Sequence, residues 1–242
     1  MKYAIIIPAR FKSKRLIGKP LLKINGLPMI IRTVNQCKKV VKNKYIFVAT
    51  DNDKIKKVCQ KNNINVIMTS KSCLTGTDRV YEASKKINAD VYINLQGDEP
   101  LFNPIDIKKI INYSKKFPKD IWTGYCEIKS NSMFRSLNIP KVVFSENKDL
   151  MYASRSPIPM SKKNKFVIGY RQVCIYAFPK ESLKKFFSKK KSKKEAIEDI
   201  EYLRFIEKGI NVKCVKLTNK SIAVDTPEDL KKVKEIIKKN EK

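Results

Sequence analysis

The stretch KYAIIIPARFKSKRLIGKPL, residues 2–21, joins a short β-branched run to a basic loop. The run Tyr3–Ile7 predicts a strand, and similar runs recur at 45–49, 65–68 and 91–95. Helical patterns with a period near 3.6 lie between these runs. Strand alternating with helix predicts a mostly parallel α/β sheet, in which ligands bind at the carboxyl ends of the strands.

The other predicted elements divide the chain into a regular part and an inserted part. Helices are predicted over Pro28–Val41, Asp53–Asn62, Thr77–Ile87, Pro104–Lys116, Glu195–Lys208 and Thr226–Ile237. Further strands are predicted over Trp122–Cys126, Lys141–Phe144, Val173–Phe178 and Val212–Leu217. Because irregular segments rich in Ser, Pro and Lys join the strands after Trp122, we interpret residues 122–195 as an inserted, more antiparallel lobe of one domain spanning residues 1–242.

The sequence contains no histidine among its 242 residues. Catalysis by Ser-His-Asp or Cys-His groups and zinc sites with His ligands are therefore excluded. Proton transfer and metal binding must fall to carboxylates, lysines, tyrosines or water.

Lysine and arginine outnumber aspartate and glutamate by 53 to 23, which gives a formal net charge of +30. Such a charge suits a nucleic-acid partner. However, the lysines are spread over the polar faces of the predicted helices, and only the block at 189–194 is dense. No aromatic residue is interleaved there for base stacking. We therefore expect a solvated, lysine-rich surface and no specific nucleic-acid partner.

The six cysteines are scattered without a C-x-x-C pair, which favours reduced thiols over a disulfide framework. The apolar run at residues 3–7 is too short for a signal peptide or a membrane-spanning helix. We expect a cytoplasmic protein with no membrane partner.

The loop after the first predicted strand is basic and contains one flexible glycine. Its residues of interest are Arg10, Lys12, Lys14, Arg15, Gly18 and Lys19. A basic loop at the carboxyl end of a strand is suited to gripping a triphosphate through side chains. The glycine patterns of the Walker P-loop and of the dinucleotide fingerprint are both absent from the sequence. An ordinary basic surface loop is the alternative.

Two aspartates lie close to the positions where a parallel sheet binds its ligands. Asp98 follows Gly97 just after the predicted strand Val91–Leu95, and Asp225 precedes the last predicted helix. A pair of carboxylates is the usual oxygen ligand set for Mg²⁺ on the phosphates of a nucleotide. The alternatives are a turn residue for Asp98 and a helix N-cap for Asp225.

Seven ordered motifs extend over nearly the whole chain, between Tyr3 and about Val233. They are P-A-R-x-x-S-x-R-L-x-G-K-P-L from Pro8, N-G-x-P-M-I from Asn25, V-A-T-D from Val48, T-G-T-D-R from Thr75, N-L-Q-G-D-E-P from Asn94, S-R-x-x-I-P from Ser154 and V-D-T-P-E-D-L from Val224. In this order and at these separations they resemble the 3-deoxy-manno-octulosonate cytidylyltransferase family, whose members make CMP-Kdo.

The resemblance implies a fold, a reaction and an assembly. The fold is a nucleotidyltransferase-type, Rossmann-like sheet with helices on both faces. CTP is the donor, Mg²⁺ the cofactor, and a 2-keto-3-deoxy sugar acid the acceptor, whose anomeric hydroxyl attacks the α-phosphate and releases diphosphate. The activated sugar serves the synthesis of cell-surface glycans such as lipopolysaccharide or capsule. The resemblance also implies a homodimer, which we expect to form through the inserted lobe.

Roles are carried over from the family residue by residue. The catalytic set comprises Lys19, Arg15, Asp98 and Asp225, and the two aspartates bind Mg²⁺. The nucleotide is expected to contact Pro8, Ala9, Arg10, Arg15, Lys19, Ser72, Thr75, Gly76, Thr77, Arg79, Gln96 and Asp98. The acceptor is expected to contact Gln96, Arg155, Arg171, Gln172, Tyr176, Glu201 and Tyr202.

The acceptor side departs from the family pattern at two positions. Gln172 stands where the family has histidine, and Tyr202 stands where it has glutamine. No departure of comparable weight falls in the nucleotide motifs. We therefore expect CTP as the donor and Kdo as the acceptor, with a related 2-keto sugar acid or a phosphonate as the alternative acceptor.

A second hypothesis assigns the chain to another class, a polyanion binder that keeps a degenerate nucleotidyltransferase fold. The high positive charge motivates it. A degenerate enzyme should have lost catalytic residues, whereas Lys19, Arg15, Asp98 and Asp225 are all present.

Overall fold

The computed structural model describes residues 1–12, 16–188 and 190–241. Its strands are β1 (Tyr3–Ala9), β2 (Lys23–Ile24), β3 (Leu27–Pro28), β4 (Ile46–Thr50), β5 (Asn65–Met68), β6 (Val91–Leu95), β7 (Ile121–Glu127), β8 (Lys141–Phe144), β9 (Leu150–Ser154), β10 (Tyr170–Pro179) and β11 (Val212–Lys216). Its helices are α1 (Met29–Lys38), α2 (Asp53–Lys61), α3 (Gly76–Ser84), α4 (Pro104–Lys116), α5 (Asn131–Arg135), α6 (Lys180–Phe186), α7 (Lys193–Glu198), α8 (Leu203–Glu207) and α9 (Pro227–Asn240). Within these ranges, no helix combines the length and the apolar character needed to cross a membrane.

The central sheet runs in the order β11-β7-β10-β6-β1-β4-β5. Strand β1 pairs in parallel with β4 and with β6, and β4 pairs in parallel with β5. On the other side β10 lies antiparallel between β6 and β7, and β11 completes that edge parallel to β7. The predicted mostly parallel sheet is therefore confirmed, with one antiparallel strand inside it.

Successive residues of β1 enter two different hydrophobic cores. Ile5 and Ile7 belong to the core that α1, α2 and α4 complete. Ala4 and Ile6 belong to the core that α3, α6 and α8 complete. Because side chains of a strand alternate between the two faces of the sheet, helices cover both faces, as the resemblance implies.

The elements within residues 122–195 divide between the central sheet and a separate hairpin. Strands β7 and β10 lie in the central sheet, where β10 pairs with β6 and with β7. Strands β8 and β9 form an antiparallel hairpin that joins the sheet where Lys141 pairs with Arg171 of β10. The segment that departs from the main path of the sheet therefore comprises residues 128–169.

The single helix predicted over Glu195–Lys208 is wrong. Asp199 adopts a left-handed conformation with φ of 50° and ends α7, and α8 starts only at Leu203. The break allows Arg204 to fold back and donate hydrogen bonds to both Glu195 oxygens at 2.6 Å. Arg204 also donates to Asp78 of α3 at 2.7 and 3.2 Å. All three charged groups are buried, so this ion cluster fixes the segment 199–202 against α3.

Candidate active site

A cavity of about 510 Å³ opens at the carboxyl ends of β1 and β6. Its walls are formed by Pro8, Ala9, Arg10, Lys19, Pro20, Cys73, Leu74, Thr75, Gly76, Arg79, Gln96, Gly97, Asp98, Arg155, Lys191, Asp199, Glu201 and Asp225. This is the position that a parallel sheet predicts for a ligand.

One ammonium group joins the two aspartates that the sequence singled out. Lys19 Nζ lies 2.5 Å from Asp98 Oδ2 and 3.2 Å from Asp225 Oδ1. It also donates a hydrogen bond to the carbonyl oxygen of Val224 at 3.0 Å. Burial alone would lower the pKa of Lys19, but the charges of Asp98 and Asp225 outweigh burial and raise it. Both carboxylates therefore lie next to the same positive charge, the Lys19 ammonium.

Backbone packing fixes the distance between the loops that carry these groups. A β-carbon at Gly97 would lie 2.8 Å from the carbonyl oxygen of Pro8, closer than such atoms approach. Residue 97 is therefore restricted to glycine wherever the two loops keep this separation. On the other side, the backbone N–H of Val224 donates to the carbonyl oxygen of Asp98 at 2.9 Å. Both aspartates are thus held by main-chain contacts.

The helix-cap alternative for Asp225 is wrong. Thr226 is the N-cap of α9, and its hydroxyl accepts the N–H of Asp229 at 3.2 Å. The carboxylate of Asp229 in turn accepts the N–H of Thr226 at 2.9 Å, which completes a capping box. The carboxylate of Asp225 instead faces Lys19 on the wall of the cavity.

The arrangement of Asp98 and Asp225 is suited to Mg²⁺ that binds together with a nucleotide. Asp98 and Asp225 supply two carboxylates around one cationic position, and Mg²⁺ on a nucleotide commonly takes one or two carboxylates, with phosphates and water as its other ligands. Across residues 1–12, 16–188 and 190–241, no group of three or more acidic or cysteine side chains forms an all-protein metal cage. The donor set fits a metal that arrives with a phosphate ligand.

Most residues predicted to contact the nucleotide lie on the wall of the cavity. They are Pro8, Ala9, Arg10, Lys19, Thr75, Gly76, Arg79, Gln96 and Asp98. Thr77 and Ser72 are not on that wall, because Thr77 is fully buried and Ser72 lines a neighbouring groove. Arg15 lies outside the described residues.

Arg79 is held by other protein groups although it borders the cavity. Its guanidinium donates to Asp51 at 3.0 Å and to the Thr69 hydroxyl at 2.5 Å. Only 3% of the residue is exposed. Arg79 therefore shapes the wall of the cavity from within the protein.

The residues predicted to contact the acceptor fall into two groups. Gln96, Arg155 and Glu201 lie on the wall of the cavity. Arg171, Gln172, Tyr176 and Tyr202 do not. Gln172 donates to the hydroxyl of Tyr176, and the Tyr176 and Tyr202 rings meet edge to face at 5.9 Å. Gln172, Tyr176 and Tyr202 therefore form a buried cluster, whereas Arg171 is only half-buried.

Arg155 is fixed by carbonyl oxygens of two other chain segments, which include Leu137 and residues 198–199. Its Nε donates to the carbonyl oxygen of Glu198 at 2.5 Å, and its Nη1 donates to that of Leu137 at 2.9 Å. The buried Lys141 ammonium donates to three carbonyl oxygens, including that of Arg155 itself. Burial lowers the pKa of Lys141 to about 8. The position of Arg155 at the cavity is thus set by several contacts.

Glu201 connects the acceptor side with the start of α3. Its carboxylate accepts the N–H of Gly76 at 3.0 Å and the N–H of Thr77 at 2.8 Å. It also accepts the hydroxyl of Thr77. Burial raises the pKa of Glu201, and these hydrogen bonds oppose the rise. The carboxylate therefore occupies the positive end of α3.

The sequence prediction missed two charged residues on the wall, Lys191 and Asp199. Lys191 Nζ lies 2.5 Å from Asp199 Oδ1. Lys191 belongs to the dense lysine block, and Asp199 ends α7. No local pattern distinguished Lys191 from its neighbours, whereas the helix break at Asp199 places both side chains at the cavity.

A family model described as Cytidylyltransferase matches residues 4–222. The 3-deoxy-manno-octulosonate cytidylyltransferase of Chlorobium phaeovibrioides is 36% identical over 243 residues, which cover 99% of this chain and 98% of that protein. The 8-amino-3,8-dideoxy-manno-octulosonate cytidylyltransferase of Shewanella halifaxensis is 34% identical, and the match covers 96% of each chain. A solved structure of a CMP:2-keto-3-deoxy-manno-octonic acid synthetase complexed with CTP superposes with a TM-score of 0.92 at 34% identity, covering 99% of this chain and 100% of that one.

Proposed function

Because the chain belongs to the cytidylyltransferase family, we propose that it transfers CMP from CTP to 3-deoxy-manno-octulosonate (Kdo) and releases diphosphate. The observation that carries this proposal is the pair Asp98 and Asp225 facing one cationic position on the wall of the cavity. Relatives of matching length with this activity and the CTP complex of a similar structure support it.

The reaction is an in-line displacement at the α-phosphorus of CTP. The sugar hydroxyl attacks, the bond to diphosphate breaks, and the protein contributes positioning and charge neutralisation. Arg10 and Lys19, both at the cavity, are the cations that we expect to bind the triphosphate. Asp98 and Asp225 would hold Mg²⁺, whose charge offsets that of the phosphates and lowers the pKa of the attacking hydroxyl.

Lys19 serves two partners in this scheme. Its ammonium neutralises Asp98 and Asp225 in the arrangement described above. A triphosphate entering with Mg²⁺ offers Lys19 new anionic oxygens and offers the two carboxylates a new cation. We expect Lys19 to turn from the carboxylates to the phosphates as the nucleotide binds.

The acceptor is expected at the end of the cavity bordered by Gln96, Arg155 and Glu201. Arg155 brings a fixed positive charge, which suits the carboxylate of a 2-keto sugar acid. Gln96 offers an amide for the sugar hydroxyls. One relative acts on an 8-amino-3,8-dideoxy sugar acid. A test of the acceptor must therefore include that sugar acid as well as Kdo.

The proposal is tested by incubating the purified protein with Mg²⁺, each of the four nucleoside triphosphates, and a panel of acceptors. The panel contains Kdo, 8-amino-3,8-dideoxy-manno-octulosonate, N-acetylneuraminate and a phosphonate. We expect diphosphate release with CTP and Kdo, and none when Mg²⁺ is chelated. Silence with CTP and every acceptor would overturn the proposal, whereas turnover with another acid alone would correct the acceptor.

We also propose a homodimer formed through the inserted part. Five large apolar side chains are exposed within or beside it, namely Leu137, Met151, Met160, Val167 and Ile168. Contiguous exposed apolar patches are typical of interaction surfaces, and we expect these five side chains to contribute to one. Light scattering should give twice the mass of the 28.0 kDa chain, and charged substitutions at Val167 and Ile168 should yield monomers.

The cellular setting belongs to the same proposal. All six cysteines are free thiols, which suits a reducing compartment, and we place the reaction in the cytoplasm. The product would be an activated sugar for a cell-surface glycan such as lipopolysaccharide or capsule.

A further inference from the structure

The segment that carries Asp225 has no regular secondary structure. It comprises residues 217–226, between β11 and α9. A metal ligand on such a segment needs other contacts to hold it in place. The N-terminal part is fixed by Thr218, whose N–H and hydroxyl both donate to the carboxylate of Asp106 in α4, at 3.0 and 2.6 Å. At the other end, the N–H of Val224 donates to the carbonyl oxygen of Asp98 at 2.9 Å, which leaves the stretch between Thr218 and Val224 to be held by other groups.

Arg171 on β10 supplies much of that support. Its Nε and Nη2 donate to Asn219 Oδ1 at 3.2 and 2.9 Å. Its Nη2 also donates to the carbonyl oxygen of Ser221 at 3.1 Å. The remaining nitrogen, Nη1, donates to the carbonyl oxygen of Gln172 at 3.4 Å. Each nitrogen of the guanidinium therefore has an acceptor within the protein.

Ser221 is held from the opposite side as well. Its hydroxyl donates to the carboxylate of Glu99, the residue that follows Asp98. Ser221 and Glu99 are each only 3% exposed. Ser221 therefore links Arg171 on β10 to the loop after β6, which carries the other aspartate.

Arg171 and Arg155 differ in their relation to the cavity. Both were predicted to contact the acceptor, but Arg155 lies on the wall of the cavity and Arg171 does not. Arg171 is directed towards the segment 217–226 instead. An arginine whose forked donors join two points of an irregular segment sets the path of that segment.

We infer that Arg171 is a positioning residue that holds Asp225 opposite Asp98 by binding Asn219 and Ser221, and that it does not contact the acceptor. This inference rests on the proposed function, because it takes Asp225 as a ligand of Mg²⁺. Replacing a residue that orients a metal ligand without binding the metal itself commonly changes metal affinity by about 10- to 100-fold.

The test compares Arg171→Met with two other variants. Asn219→Ala removes the partner of the guanidinium and leaves its charge in place. Arg155→Met is the matched control on the wall of the cavity. For each we would measure the Mg²⁺ concentration at half-maximal rate, the KM for Kdo, and hydrogen–deuterium exchange in peptides spanning residues 217–226.

Arg171→Met and Asn219→Ala should each raise the Mg²⁺ requirement by roughly tenfold. They should speed exchange across 217–226 and leave the KM for Kdo within about twofold of its starting value. Arg155→Met should raise the KM for Kdo and leave exchange in 217–226 unchanged. Retained folding is checked by thermal unfolding, and Asn219→Ala keeps the test decisive if Arg171→Met does not fold.

The inference is overturned if Arg171→Met raises the KM for Kdo while the Mg²⁺ requirement and the exchange of 217–226 stay unchanged. It is also overturned if Asn219→Ala changes neither the Mg²⁺ requirement nor the exchange. A wild-type protein inactive with every acceptor would instead refute the proposed function. In that case the exchange measurements alone would still show whether Arg171 holds the segment, because they need no turnover.

Discussion

The nucleotide side and the acceptor side of the cavity are built differently. On the nucleotide side, Arg10 and Lys19 of the loop after β1 and Gln96 and Asp98 of the loop after β6 border the cavity directly. On the acceptor side, four of the seven predicted residues lie away from the wall. Phosphate binding requires exposed cations and carboxylates at fixed separations. A sugar-binding site, in contrast, can be shaped by a few wall residues whose positions are fixed by other residues outside the cavity. The difference suggests that motif residues on the acceptor side act more through packing than through contact.

The strongest test of the nucleotide side is removal of one carboxylate charge. Asp98→Asn or Asp225→Asn should lower turnover by about a hundred- to a thousandfold, because each removes a negative charge that we expect to hold Mg²⁺ against the phosphates. Both side chains are partly exposed, so the unfolding midpoint should change little. Diphosphate release across a Mg²⁺ titration measures the effect. Near-normal turnover of either variant at limiting Mg²⁺ would contradict the metal assignment.

The connection between the two sides is tested at the buried ion cluster. Arg204→Met leaves Asp78 and Glu195 buried without their cation and should lower the free energy of unfolding by about 3 kcal/mol. Denaturant unfolding measures this loss. Lys184→Met, which breaks an exposed ion pair with Glu181 on α6, is the control and should cost less than about 1 kcal/mol. Equal losses in the two variants would show that the cluster does not fix α8 against α3.

Lys19→Met should separate metal binding from nucleotide binding. The variant loses the ammonium that faces Asp98 and Asp225, so the nucleotide-free protein should bind Mn²⁺ roughly tenfold more tightly, equivalent to about 1.4 kcal/mol. Electron paramagnetic resonance of free Mn²⁺ gives this affinity without any turnover.

The matched control for that experiment is Arg10→Met. Arg10 lies on the same wall but has no ion pair with either aspartate among the contacts of the described residues, so its replacement should leave the affinity for Mn²⁺ unchanged. A weaker affinity in Lys19→Met would mean that the ammonium does not compete with a metal ion.

The smallest expected effect is that of Tyr202→Phe on the acceptor side. The Tyr202 hydroxyl is buried and has no hydrogen-bond partner within the described part of the chain. Its removal should therefore change the free energy of unfolding by less than about 1 kcal/mol, or raise it slightly. Chemical unfolding measures this. If the KM for Kdo rises several-fold instead, the hydroxyl reaches the acceptor, and the contrast between the two sides is weaker than we describe.

The sequence allowed much of the sheet and of the nucleotide side to be predicted. The strands 65–68 and 91–95 and the helix Pro104–Lys116 have the predicted bounds, because their apolar periodicity and capping residues are local signals. Asp98 and Asp225 could be singled out because each lies close to the end or the start of a regular element, β6 or α9.

The acceptor side was harder to predict, because its structure depends on contacts between residues that are far apart in the sequence. The helical periodicity of 195–208 concealed the break at Asp199, which is stabilised by the distant partnership of Arg204 with Asp78. The direction of the Arg171 side chain depends on Asn219, 48 residues further along the chain. Neither partnership can be derived from spacing alone, and the lysine-rich surface likewise gained no functional role from the structure.

Glu201 gives the two halves of the cavity a common element. Its carboxylate holds the N-terminus of α3, where the cytidine is expected, while its side chain borders the acceptor end. An acceptor that binds to Glu201 therefore changes the free energy of nucleotide binding as well. Thermodynamic linkage makes such a coupling reciprocal, so the factor by which CTP alters acceptor affinity must equal the factor by which the acceptor alters CTP affinity. The strength of this coupling is then a measurable property of this one carboxylate.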